Sequence, residues 1–171
     1  METCTIAEVS GFSRNDFVRV IGAVFEHSPW IAETTWPRRP FGSLEELHRA
    51  LCDNVRSASE EKQLALIRAH PDLVGSAALA GTLTPASSSE QASAGLDRLS
   101  PEEIANFQKF NQAYRDKFGF PFVICARLNK KEAILNGFCA RMGHSRAEEI
   151  KAALEEIFKI AAFRLGDLVE G

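Results

Sequence analysis

Among the side chains whose types could move a proton or steady a charge near neutral pH, His70, the polar run that contains Glu90, and Arg164 have the settings that single them out. His70 follows an apolar helical run, stands directly before Pro71 and lies two residues ahead of Asp72. An imidazole in that place is an acid/base candidate, and it is equally a helix-end residue that binds the last free carbonyls. Its spacing alone leaves both readings open. His27, His48 and His144 have no comparable setting and read as helix-surface or capping residues.

The run Ser87-Ser88-Ser89-Glu90-Gln91 places three hydroxyls, a carboxylate and an amide where a loop is predicted to enter a helix. Such a place grips a polar ligand through hydroxyls and free N–H groups, or simply caps the helix with Glu90 in solvent. Arg164, between Phe163 and Leu165, either snorkels or pairs with a carboxylate beside an apolar face, or offers its planar fork to a substrate. The aromatic set Phe107, Phe110, Tyr114, Phe118, Phe120 and Phe122 reads as core. No G-x-G-x-x-G, Walker A, H-E-x-x-H, G-x-S-x-G or EF-hand pattern is present, which weakens the nucleotide, metal and acyl-transfer readings.

Helices must position these groups. Phe17, Val20, Ile21, Val24 and Phe25 line one face of a helix predicted to start near Ser13. Trp30 to Pro40 is an aromatic, proline-interrupted connection. Ser43-x-x-Glu46 and Ser57-x-x-Glu60 have the capping-box pattern, and the second opens a helix ending at Ala69 because Pro71 pushes His70 out of helical geometry. Gly75 to Ser89 reads as a loop with a short helix at Ser76 to Ala80, and the next helix is expected around Ser89 or Glu90. Ser100-Pro101-Glu102-Glu103 starts a helix that runs to Gly119, Lys131 to Met142 forms another, and Ser145-x-x-Glu148 caps a long last one. Phe120 to Ala126 is the strand-like exception, an extended apolar segment crossing the interior. Five capable helices and almost no alternation predict an all-α, single-domain helical bundle over residues 1–171.

Bulk properties agree with an ordinary folded domain. A chain of 171 residues buries about 70% of its unfolded surface. With 20 basic and 23 acidic residues spread along the chain, there is no basic stripe, so no nucleic-acid partner is expected. No apolar window is long enough to span a membrane, and none is expected as a partner. Met1 to Val9 does not resemble a secretory signal, and the closing residues lack a peroxisomal address. Cys4, Cys52, Cys125 and Cys139 are far apart in sequence, without zinc spacing. Cys125 and Cys139 stand among apolar neighbours and read as buried reduced thiols, which suits the cytoplasm.

Taken together, His70-Pro71-Asp72-Leu73, the run Ser89 to Leu96, Asn111-x-x-Tyr114-x-x-Lys117-Phe118-Gly119-Phe120-Pro121-Phe122 and Arg164-Leu165 resemble one family, the 2-oxo-4-hydroxy-4-carboxy-5-ureidoimidazoline (OHCU) decarboxylases. The resemblance extends from the helix near Phe17 to Leu168. It implies an all-helical, cofactor-free, commonly dimeric enzyme that releases carbon dioxide from OHCU to give (S)-allantoin. It also implies His70 as acid/base, Glu90 as its helper, Arg164 as a source of positive charge and Pro71 shaping the substrate contact. Ser87, Ser88, Ser89, Glu90 and Gln91 would hold the polar ring and ureido groups, and the backbone of Phe122, Val123, Ile124, Cys125 and Ala126 would face the ligand. No metal is expected. Two readings from other classes stay beside it: a non-catalytic helical binding module with a groove at Ser87 to Gln91, and a metal-dependent hydrolase recruiting His70, Asp72 and Glu90.

Overall fold

Capping chemistry sets where the helices begin. In the computed structural model, which describes residues 3–171, Thr5 and Glu8 form a reciprocal capping box that opens α1 (Ile6–Gly11). Met1 and Glu2, the start of the stretch read above for a secretory signal, lie outside the described residues. Ser13 caps α2 (Arg14–Ile21), as its sequence position predicts. The chain then tightens into a 3-10 turn at Gly22–Val24, so Val24 and Phe25 are buried as expected but lie beyond the α-helix. The Trp30 to Pro40 connection folds into α3 (Trp30–Thr35) and a 3-10 turn at Trp36–Arg38, where Pro37 stops regular helix.

Ser43 caps α4 (Leu44–Arg56), but the Glu46 carboxylate bonds the Gly42 N–H at 2.7 Å instead of closing the predicted box. Ser57 does not open the next helix. It is still in helical geometry, its N–H bonded to the Asp53 carbonyl, and Ser59 takes over as cap of α5 (Glu60–Ala69). The short helix α6 (Ser76–Ala80) is present, and α7 (Pro85–Ser93) begins four residues before Ser89, with Thr84 as cap and Pro85 at its first position. Helix α8 (Pro101–Phe118) has the full Ser100/Glu103 box and ends at Gly119, whose φ of 80° is the left-handed conformation that glycine adopts freely. A 3-10 turn at Ala126–Leu128, α9 (Lys131–Arg141) and α10 (Arg146–Leu168) complete the helices; Ser145 and Glu148 cap α10 reciprocally.

The described residues thus hold ten α-helices, more than the five whose periodicity stands out in the sequence, and the chain is all-α. One two-residue parallel pairing, β1 (Cys4–Thr5) with β2 (Val169–Glu170), was not foreseen; it is too short for any alternation to show. No described helix is long and apolar enough to cross a membrane.

The chain divides into two compact units, Met1–Ala69 with Phe158–Gly171, and His70–Ile157; α10 contributes to both. In the first, Phe17, Ile21, Ile31, Leu47, Leu51, Leu66, Ile67 and Leu165 form the buried interior. Burying a side chain of this kind contributes about 1.5–3 kcal/mol. In the second, five of the six aromatic residues read as core, Phe107, Tyr114, Phe118, Phe120 and Phe122, are buried and Phe110 is half-buried; Phe138 of α9 joins them, stacked on Phe122 at 3.9 Å between ring centres. Of the segment Phe120 to Ala126 read as extended, Pro121 to Cys125 is mostly buried and joins neither helix nor sheet, while Phe120 lies at a bend and Ala126 opens the 3-10 turn. Cys125 is buried; Cys139, on α9, is exposed, because that helix turns Ile134 and Phe138 inward and leaves position 139 outside. The expectation of a buried Cys139 is therefore corrected.

The Ser100/Glu103 cap carries a pH signature. The Lys131 ammonium and the Ser100 N–H hold the Glu103 carboxyl below its ordinary value of 4.5. A carboxyl lowered in the folded state stabilises at pH above 4.5 and loses that contribution as pH falls through its folded value. The Tm difference between the native chain and Glu103→Gln is thus expected to be present at about pH 7 and to close in acid. Thermal melts over that range check it, and a difference that persists unchanged in acid would contradict it.

Candidate active site

Helix α5 ends at Ala69, and His70 begins the second unit, only 6% exposed. The chain then makes a tight turn in which the Gly75 N–H bonds the Asp72 carbonyl at 3.3 Å. The third residue of that turn, Val74, has φ of 54°. Turns with positive φ in that place favour Gly or Asn, and a β-branched side chain there costs about 1–3 kcal/mol, so neighbouring structure must impose the shape. Gly75 is required for a different reason: a Cβ at this position would sit 2.6 Å from the Asp72 Cβ.

The imposing groups come from two helices. From α7, the Gln91 side-chain oxygen accepts the Val74 N–H at 3.0 Å, while its amide nitrogen donates to the Asp72 carbonyl at 3.4 Å. From α8, the Asn111 amide donates to the Leu73 carbonyl at 2.7 Å, and Arg115 Nε reaches both Asp72 carboxylate oxygens at 3.0 Å. Gln91 and Asn111 are buried, whereas the Arg115–Asp72 pair lies toward solvent.

Because α7 starts at Pro85, the residues expected at a loop-to-helix junction are inside a helix. Ser87, Glu90 and Gln91, spaced i, i+3 and i+4, lie on its buried face, while Ser88 and Ser89 are exposed. The N–H groups of Ser87 and Ser88 are already bonded to Thr84, by its hydroxyl and carbonyl, so they are not free donors. Gln91 clamps the turn that follows His70, and this places its neighbour Glu90, itself 7% exposed, on the helix pinned beside that turn.

The third predicted segment joins the same unit. Burial raises the Cys125 thiol above its ordinary range, and Glu156 and Glu90 add to this. Lys130, just beyond the 3-10 turn, donates to the Ser93 carbonyl at the end of α7 at 2.7 Å. Three carbonyls of the extended segment have internal partners: Val123 accepts from Arg141 Nη1, Cys125 from the Leu128 N–H and the Asn129 amide, and Ala126 from the Asn129 N–H.

Behind that segment lies a buried polar cluster that the sequence did not announce. The fully buried Glu149 accepts from the Tyr114 hydroxyl at 2.5 Å and from Arg141 Nε at 2.8 Å, and His144 Nδ1 stands 2.8 Å from its other oxygen. Burial, and then the bond to Glu149, hold the Tyr114 hydroxyl protonated far above its usual range. The Arg141 guanidinium lies 4.3 Å over the Phe122 ring.

Arg164 belongs to the first unit. It is 5% exposed and donates to the Glu26 carboxylate at 3.2 Å and to the Val24 carbonyl at 3.5 Å. Pairing with a carboxylate was one of its sequence readings; the partner, Glu26, was missed. Its only signal is a charged residue next to the buried Val24 and Phe25. Among the described residues no three His, Cys, Asp or Glu side chains converge to hold a metal ion, and Asp72 is taken up by Arg115.

A family model described as OHCU decarboxylase matches residues 10–166. A 2-oxo-4-hydroxy-4-carboxy-5-ureidoimidazoline decarboxylase of Halalkalicoccus jeotgali is 42% identical over 98% of this chain and 93% of its own length. One of Haloferax volcanii is likewise 42% identical, over 98% of this chain and 97% of its own. Among solved structures, an (S)-allantoin synthase superposes with a TM-score of 0.79 at 26% identity over 98% of this chain. The present chain spans about half of that protein, 54% of its length.

Proposed function

We propose how this chain, which belongs to the OHCU decarboxylase family, carries out the family's reaction, the cofactor-independent decarboxylation of OHCU to (S)-allantoin in urate degradation. The observation that carries the residue assignment is the Gln91 clamp, which fixes the helix bearing Glu90 to the turn that follows His70. The reading as a non-catalytic binding module gives way to the family membership.

Loss of carbon dioxide leaves an electron pair on the former carboxyl-bearing carbon, and the adjoining electron-poor ring can hold it as an enol-like intermediate. The substrate is its own electron sink, so the protein's task is to orient the carboxylate, steady developing charge and deliver a proton to one face. His70 is the proton donor in this proposal, and the Glu90 carboxylate assists by orienting the imidazole and favouring its charged form. Pro71 stiffens the backbone beside it. The buried Ser87 hydroxyl and Gln91 contact the ring and ureido groups, while Ser88 and Ser89, on the exposed face, are the weaker part of the set. The extended segment Phe122 to Ala126 offers its amide N–H groups, since three of its five carbonyls are engaged internally. The resemblance assigns Arg164 to the family's reaction as a source of positive charge. A homodimer and a cytoplasmic location are carried forward on the resemblance and on the cysteine pattern respectively.

His70→Ala and His70→Asn are expected to keep the helical fold and lose about 100-fold or more in kcat, the scale of a missing general acid. Freshly generated OHCU, metal-stripped protein and the circular dichroism of (S)-allantoin measure this, and near-normal turnover by a folded variant would refute the role. Arg164→Lys is expected to lower kcat/KM by about tenfold, because a point charge cannot replace a planar fork. Unchanged constants would leave Arg164 with a structural role beside Glu26. Light scattering of the purified chain should give twice the monomer mass; a monomer with full activity would remove the dimer from the proposal.

A further inference from the structure

The turn after His70 has a shape its own residues disfavour. Val74 is a β-branched residue at φ of 54°, and Gly75 packs so closely on Asp72 that no side chain fits. Three groups hold it. Arg115 does so from a partly exposed ion pair that water can replace, and Gln91 from the helix assigned to the substrate. Asn111 is the remaining one. It is 5% exposed on α8, donates to the Leu73 carbonyl at 2.7 Å, and its own side-chain oxygen is buried without a hydrogen-bond partner among the described residues. The Leu73 carbonyl is the partner that this buried amide is seen to take, so the bond to it is what the polar end of the side chain contributes. That bond fixes the orientation of the amide, because a flipped Asn111 would set oxygen against the Leu73 carbonyl.

We infer that Asn111 is a positioning residue for His70: its amide clamps the Leu73 carbonyl and so holds the left-handed Asp72–Gly75 turn from which the imidazole takes its place. The inference rests on His70 as proton donor. Asn111 does not touch the reacting atoms; it acts through the backbone three and four residues beyond the imidazole.

Two variants test it, Asn111→Leu, which removes both the donor and the unpaired oxygen at similar volume, and Asn111→Ser, which leaves a shorter side chain. Each is checked for native helicity. The expected result is a kcat lower by about tenfold, as misplacement of a reacting group produces, with KM within about twofold. Ring ¹³C–¹H spectra of the four histidines give a readout that general loosening would not. The His70 signal, identified with His70→Asn, is expected to shift or broaden, while that of His144 in the same unit stays in place. A folded variant with native kcat and an unmoved His70 signal overturns the inference. So does a loss of kcat in which the His70 and His144 signals move together, or loss of helicity in both variants, since either makes Asn111 a packing residue. The spectra need no turnover: if the native chain fails to decarboxylate OHCU, the functional reading falls while the placement of His70 by Asn111 is still decided.

Discussion

The site depends on a backbone constraint, the left-handed residue at Val74. Left to itself, a chain with valine there would relax to an extended shape. The fold prevents this by directing side-chain amides at main-chain atoms: Gln91 takes the Val74 N–H and Asn111 takes the Leu73 carbonyl. Such bonds are strong where water is excluded, and they join three sequence-distant segments at one point. The position of His70 is therefore a tertiary property. It is fixed by helices that start 15 and 31 residues later, at Pro85 and Pro101.

How much of this the sequence disclosed depended on whether the signal was local. Ser13, Ser100, Glu103, Gly119 and Ser145 act through atoms within four residues, and each behaves as its pattern predicts. Ser57 and Ser89 failed as helix starts for the same reason that others succeeded. A neighbour competed for the cap, Ser59 in one case and Thr84 ahead of Pro85 in the other, and a run of hydroxyl residues does not say which one wins. Cys139 shows the limit of reading burial from apolar neighbours: on a helix, adjacency in sequence is not adjacency on a face.

The chemistry followed the same rule. His70 could be singled out, but its spacing left open whether it caps a helix or moves a proton, and the proton-donor role came from the accompanying motifs as a proposal. Glu26, the partner of Arg164, is far from it in sequence and had no pattern to announce it. Asn111 stood in a quoted motif, yet a single amide on a helix carries no sign of which carbonyl it will meet. Long-range polar contacts of this kind have no periodicity, and periodicity is what a lone sequence offers.

The buried Glu149 bears on how this protein can change. One carboxylate serves the Tyr114 hydroxyl, the Arg141 guanidinium and the His144 ring, and Arg141 in turn holds the Val123 carbonyl. Replacing Glu149 alone would strand a cation in the interior, and replacing Arg141 alone would strand an anion; either is worse than replacing both with apolar residues that fill the space. Positions 141 and 149 are thus tied as a pair. Any lineage that drifts at one must cross a valley or move at the other in the same step, so the cluster narrows the paths by which the extended segment beside it can be remodelled.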